Sequence, residues 1–193
     1  MMVKICGITN REDAFAAIEG GAAALGFNFW PSSPRYIAPE NARELIAGLP
    51  ASVAKVGVFV DETPENVAAT ARETGLDVVQ LHGREAANQF PAGMRVWKAL
   101  RIGTNFDPSA LEQYPAEAVL LDGPANGMVF DWTMAAGIER KVIIAGGLDA
   151  ANVGEAIGRA RPWGVDACSR IESSPGKKDH AKMAAFLKAA LSA

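Results

Sequence analysis

Residues 3–13 read VKICGITNRED. Val3 and Ile5 alternate with Lys4 and Cys6, as on a strand whose two faces have different surroundings. The charged run from Arg11 then opens a segment of helical period. A strand followed by a helix begins either an open, doubly wound sheet or a closed barrel. The open sheet usually carries a GxGxxG turn after its first strand, and CGITNRED contains no such fingerprint. The closed solution is therefore the expected one.

Outward from this stretch, short runs rich in Val, Ile and Leu alternate with helical segments to the end of the chain. Strands are expected at Val3–Ile8, Ala24–Phe29, Lys55–Val60, Val78–Leu81, Val96–Leu100, Ala118–Leu121, Val142–Ala145 and Val165–Cys168. Helices are expected at Arg11–Glu19, Pro39–Leu49, Pro64–Thr74, Arg84–Phe90, Pro108–Tyr114, Trp132–Gly137, Asn152–Ala160 and Asp179–Leu191. Spread over 193 residues, eight units have ~24 residues each, room for a strand, three helical turns and two short loops. The expectation is an α/β chain forming one compact (β/α)8 TIM barrel over residues 1–193, a single domain. Thr9, Thr63 and Asp149 are expected helix caps, and Gly20, Gly75 and Gly137 expected stops. Met183, Phe186, Leu187 and Leu191 form a stripe on the last helix that reads as core packing.

Composition narrows the function. Hydrophobic residues at 49 % and charged residues at 21 % describe a globular chain rather than a disordered one. A net charge of −3 offers no basic field, so neither nucleic acid nor an acidic membrane is an expected partner. No apolar run approaches the roughly 18 residues that span a bilayer. Cys6 and Cys168 lie far apart behind no charged-then-apolar leader, which points to a reducing cytoplasm rather than a disulfide scaffold. With His82 and His180 the only histidines, a histidine-rich metal site is not expected.

Function in a barrel gathers at the C-terminal ends of the strands. If Val3 and Ile5 face helices, Cys6 points into the mouth, as a reactive thiol or as a small buried hydrophobe. Asp122 follows four apolar residues at the end of the sixth strand, either a loop cap or a catalytic carboxyl; with Cys6 it makes an acid/base pair possible. Arg35, on the loop stiffened by Pro31 and Pro34, is either solvated or forks onto a carboxylate or phosphate. Gly146 and Gly147 allow backbone N–H groups to approach an anion. Together with the Ser-rich end of the eighth strand they favour a phosphorylated substrate. Gln80 and His82 share one face of the fourth strand and read as a satisfied polar pair without a role.

In order along the chain stand KICGIT (4–9), GFNFWPSSPRYI (26–37), VGVFV (56–60), VQLHG (79–83), LLDG (120–123) with FDW (130–132), AGGL (145–148) with NV (152–153), and VDACSRIE (165–172) with PGKKD (175–179). This set resembles the phosphoribosylanthranilate isomerase family of tryptophan biosynthesis over the whole chain. The resemblance implies a cofactor-free (β/α)8 barrel, monomeric or homodimeric, that performs an Amadori rearrangement of N-(5-phosphoribosyl)anthranilate. It implies Cys6 as general base and Asp122 as general acid. It implies Arg35 on the anthranilate carboxylate, and Gly146, Gly147, Asp166 and Ser169 in substrate binding, the phosphate falling to the two glycines and the loop around Ser169. That division of labour needs a carboxyl raised above about 3.9 and a thiol lowered below about 8.5. Lys4, on the face of Cys6, is a candidate for favouring the thiolate.

Two departures from the family pattern stand out. The loop GPANGMVFDW (123–132) replaces a longer Gly-Gly-Ser/Thr-Gly loop, and DACSRIE replaces the common DVSSGVE, which puts Arg170 where a glycine is usual. Arg170 is expected to supply charge-assisted contacts in place of backbone ones. Cys6 and Cys168 end neighbouring strands of a closed barrel, so either oxidant-sensitive activity or a buried thiol in place of serine follows. Two alternatives remain: an isomerase like the histidine-pathway ProFAR enzyme, and a non-catalytic phosphate-binding barrel.

Overall fold

The computed structural model describes residues 1–125 and 127–193. Eight parallel strands close on themselves in chain order: β1 (Met2–Cys6), β2 (Ala24–Asn28), β3 (Ala54–Phe59), β4 (Val78–Leu81), β5 (Val96–Arg101), β6 (Ala118–Asp122), β7 (Val142–Ile144) and β8 (Gly164–Ala167). Closure is made by β1 against β8, with Lys4 opposite Asp166 and Ile5 opposite Ala167. All eight expected strands are present in the expected order, so the (β/α)8 reading holds. Among the described residues no helix is long and apolar enough to cross a membrane.

Alternation along each strand divides two cores. Outward residues such as Val3, Ile5, Leu25, Phe27, Val79 and Val165 are buried beneath the helices. Inward residues Ala24, Val56, Val78, Trp97, Ala118, Leu120 and Ile143 fill the barrel. At ~1.5–3 kcal/mol for each large apolar side chain removed from water, these layers carry most of the drive to fold.

The helices are α1 (Arg11–Glu19), α2 (Pro39–Ala47), α3 (Pro64–Thr74), α4 (Val153–Ala160) and α5 (His180–Ser192). The three helices expected between β4 and β7 are instead short 3₁₀ turns, Ala87–Gln89, Pro108–Leu111 and Trp132–Ala135. Pro91 and Pro115 follow the first two closely, and Gly137 follows the third. Each segment is too short to recover the cost of nucleating an α-helix, and the tighter i→i+3 pattern suits one turn.

Thr63 caps α3 through the Asn66 N–H, and Gly75 ends it in the left-handed conformation. Thr9 does not cap α1. Its hydroxyl donates to Gly176 O, and Asn10 accepts from the Asp13 N–H at 2.8 Å in its place. Asp149 accepts from the Ala151 N–H at 2.9 Å, a turn that precedes α4 rather than capping it. On α5 Met183, Phe186 and Leu187 are buried while Leu191 is exposed, Ala190 taking the inner position.

An unforeseen hairpin, β9 (Glu172–Ser174) and β10 (Lys177–Lys178), follows β8. Pro175 and Gly176 form its two-residue turn, and the Gly176 φ of +81° is the value that favours glycine after proline. The hairpin folds Lys178 back beneath the mouth, where its ammonium lies 3.0 Å from Glu172 Oε1.

Candidate active site

A cavity of about 300 Å³ opens at the C-terminal ends of the strands. Every strand contributes to its wall: Cys6, Asn28, Val58, Gln80, Arg101, Asp122, Ala145 and Asp166, from β1 to β8 in turn or just beyond their ends. Arg35, Gly146, Gly147, Ser169 and Arg170 complete the rim. All the candidate residues are thus brought to one place.

Lys4 and Cys6 face inward, as the alternation predicts. Lys4 is fully buried and its Nζ lies 3.0 Å from Asp166 Oδ1. Burial opposes the charge on Lys4, yet Asp166 and Cys6 together hold the ammonium above its ordinary range. Burial pushes the Asp166 carboxyl up to about 7 against the pull of Lys4. The Cys6 thiol sits well below the usual thiol range: the Cys168 thiol hydrogen-bonds to it, and Lys4 and Lys178 add positive charge, together outweighing burial. Cys168 is correspondingly raised, by that hydrogen bond and by burial. Both cysteines are free thiols.

Gly26 on β2 makes this cluster possible. A Cβ there would lie 2.8 Å from Cys6 Sγ and 3.0 Å from Lys4 Nζ. Only hydrogen leaves the thiol and the ammonium room side by side.

Asp122 ends β6 with its Oδ1 accepting from the Gly123 N–H at 2.9 Å and its Oδ2 3.3 Å from His82 Nε2. Gly146 and Gly147 both hold positive φ, +83° and +64°. Any side chain on Gly146 would strike the Asp122 carboxyl and the Gly123 backbone, and one on Gly147 would strike Gly127 O. The double glycine therefore seats Asp122 and the loop after β6, in addition to facing the cavity. Asn152 donates to Gly147 O at 2.8 Å and pins the turn. Of the shortened loop, Asn126 lies outside the described residues.

Arg35 lines the cavity with one edge already engaged. Its Nε and Nη2 fork onto Glu172 at 2.7–3.1 Å, and this bonding raises the guanidinium further above its already high range. Burial pushes the Glu172 carboxyl up, but Arg35 and Lys178 hold it below the ordinary value. Arg170 is half exposed, its Nη2 donating to Gly127 O at 3.3 Å and its Nη1 3.8 Å from Asp149.

The sequence reading left four contributors without a role: Glu172 and Lys178 behind Arg35, and Gln80 and His82 beside Asp122. The inward alternation of β4 was the available signal for the last two. Among the described residues no group of three His, Cys, Asp or Glu is placed to hold a metal ion.

A closed parallel barrel whose polar cavity is built by all eight strand ends defines a (β/α)8-barrel enzyme. Residues 3–189 match the family described as N-(5'phosphoribosyl)anthranilate (PRA) isomerase, and the chain belongs to that family. The N-(5'-phosphoribosyl)anthranilate isomerase of Solibacter usitatus is 52% identical over 199 residues, covering 100% of this chain and 98% of the relative. The crystal structure of phosphoribosyl anthranilate isomerase from Thermus thermophilus superposes with a TM-score of 0.93 at 40% identity, covering 100% of this chain and 99% of that one. A phosphoribosyl anthranilate isomerase solved in complex with reduced 1-(o-carboxyphenylamino)-1-deoxyribulose 5-phosphate superposes with a TM-score of 0.91 at 40% identity, each chain covered in full.

Proposed function

We propose that this barrel mouth carries out its family's isomerisation, in tryptophan biosynthesis, with Cys6 as general base and Asp122 as general acid. The substrate is N-(5-phosphoribosyl)anthranilate and the product 1-(2-carboxyphenylamino)-1-deoxyribulose 5-phosphate. The observation that carries the assignment is the opening of a thiolate-favouring cysteine and a hydrogen-bonded aspartate into the same cavity. Asp122 gives a proton to the furanose ring oxygen, whose bond to C1′ breaks as the anilino nitrogen lone pair forms the Schiff base. Cys6 then takes the C2′ proton, leaving an enolamine that tautomerises to the ketone.

Binding follows from the surrounding charges. Arg35 offers the anthranilate carboxylate the guanidinium edge that Glu172 leaves over. The phosphate lies against Gly146, Gly147, Ser169 and Arg170, where backbone N–H groups and one cation converge. Asp166, with its carboxyl near neutrality, hydrogen-bonds a sugar hydroxyl.

The test is the fall in fluorescence as purified protein consumes phosphoribosylanthranilate generated in situ. Cys6→Ala and Asp122→Asn should each lower kcat by ~10²- to 10⁴-fold while the proteins stay folded. Near-normal turnover in either variant removes that residue from its role. No turnover by the unaltered protein leaves a phosphate-binding barrel without this activity.

A further inference from the structure

The Asp122 carboxyl has a partner that the acid/base scheme leaves idle. Val78, Gln80 and His82 alternate inward on and just beyond β4, and His82 is fixed by its N–H donating to Phe59 O at 2.8 Å. Its Nε2 lies 3.3 Å from Asp122 Oδ2, and its Nδ1 lies 3.2 Å from the Gln80 amide nitrogen. The Gln80 Oε1 is buried without a partner among the described residues, and turning the amide over lets that oxygen accept from a protonated Nδ1. Gln80 is 1% exposed, whereas the His82 side chain keeps 23% of its surface open to the cavity. One imidazole nitrogen is thus held by a buried amide while the other meets the carboxyl that must deliver a proton.

An isolated carboxyl group titrating at about 3.9 carries a proton in ~1 of 1,000 molecules at neutral pH, whereas an imidazole titrating at about 6.5 does so in ~1 of 4. A carboxyl serving as general acid therefore gains from a neighbouring imidazole that holds the proton for it. We propose that His82 is the positioning residue of the acid: it stores one proton jointly with Asp122 and reloads the carboxyl, with Gln80 fixing the orientation of the ring. This rests on Asp122 being the general acid.

The proton balance is simple. The proton on Nε2 of the His82 imidazolium, whose Nδ1–H is accepted by Gln80 Oε1, passes to Asp122 Oδ2 and from there to the ring oxygen as its bond to C1′ breaks. The imidazole is left neutral and takes a proton back from solvent through its exposed edge. No other bond changes at His82, and Asp122 ends the step as a carboxylate.

Charged groups on the neighbouring elements set the background. After β3, Asp61 is paired with Arg84 at 3.6 Å, and the cavity-facing residues of that strand end, Val58 and Val60, are apolar. β5 places Arg101 in register with Asp122, a cation that opposes the stored proton. It also carries Lys98, whose ammonium donates to the Leu81 and Gly83 carbonyls on either side of His82 and is paired with Glu85 at 2.8 Å. From β8, Asp166 exchanges charge repulsion with Asp122 and favours it, as does thiolate at Cys6. All remain in place when His82 is changed, so a difference between variants reports His82.

The experiment is a pH profile of kcat and KM for the unaltered enzyme, His82→Gln, His82→Ala and Asp122→Asn. His82→Gln, which retains a hydrogen-bonding amide, guards against loss of fold. Its kcat should fall ~10- to 100-fold with KM little changed, and the alkaline descent of kcat should move to lower pH. Added imidazole should restore turnover to His82→Ala and not to Asp122→Asn. Unchanged kcat and an unchanged descent in both His82 variants, with Asp122→Asn inactive, overturn the proposal and leave the acid assignment standing. Full activity in Asp122→Asn overturns both.

Discussion

At the N-terminal end of the barrel interior, Ala24, Val56, Val78, Trp97, Ala118 and Ile143 close on one another. Two to four residues further along the same strands, or on the strands beside them, Gln80, Asp122, Cys6 and Asp166 surround a cavity, with Gly26 packed against Cys6. Backbone, pairing and alternation are common to both ends. Only the inward side chains change, from volumes that fill space to charges that must be paired. The lower end is stabilised by area removed from water. The upper end holds a buried Lys4–Asp166 pair whose partners each depend on the other, an arrangement in which losing one side costs ~3–5 kcal/mol. The contrast teaches where this fold can be altered without touching its chemistry.

The sharpest way to test the contrast is oxidation. Peroxide should join Cys6 and Cys168, each thiol giving up one hydrogen as the peroxide is reduced to water, and abolish activity reversibly by thiol reductant. Full activity with both thiols still free to react after peroxide would show that the mouth is no more reactive than a core.

At the opposite end, Trp97→Ala removes a side chain that is 1% exposed and meets Trp163 edge-on at 5.8 Å. Denaturant unfolding should show a loss of ~3–5 kcal/mol, with kcat per folded molecule unchanged. A fall in kcat would mean that the two ends are mechanically coupled. Gly26→Ala should reverse the pattern. Its Cβ would press on Cys6 and Lys4, costing ~1–3 kcal/mol of stability by overpacking while kcat falls more than in any substitution at the lower end.

A charge-neutral change sharpens the comparison further. Lys4→Met combined with Asp166→Asn removes the pair without leaving either charge buried alone. The positive charge of Lys4 is one cause of the lowered Cys6 thiol, whereas the Asp166 carboxylate repels the thiolate, so the thiol should titrate higher in the double variant than in Asp166→Asn alone. With Cys6 as the proposed base, which must be ionised to act, the variant should lose activity at neutral pH and regain it as pH rises. Ultraviolet absorbance of the thiolate measures the shift between Asp166→Asn and the double variant; an unmoved titration between those two would assign the lowered thiol to Cys168 and Lys178.

How much of this was legible in the sequence depends on how far apart the cooperating residues lie. The strands were readable because parallel, doubly covered strands are short apolar runs, and the inward direction of Lys4 and Cys6 followed from alternation within one strand. The helices between β4 and β7 were misread because helical period survives in six residues while helical stability does not. Arg35 and Glu172 are separated by 137 positions, and His82 and Asp122 belong to strands that are not neighbours. No local pattern encodes such contacts; barrel closure makes them. The double glycine was read as an approach for an anion, and its packing against Asp122 required the path of the loop after β6.

Arg170 is where the two readings of the rim separate with the smallest effect. Its guanidinium ties Gly127 O and approaches Asp149, yet half-exposed contacts of this kind contribute ~0–1 kcal/mol to stability. Unfolding of Arg170→Gly should therefore match the unaltered protein. If Arg170 also meets the substrate phosphate, KM should rise by up to ~10-fold, the equivalent of ~1.4 kcal/mol, with kcat nearly constant. An unchanged KM would make Arg170 a tie between the loops after β6 and β8, and the phosphate would then be held by Gly146, Gly147 and Ser169 alone.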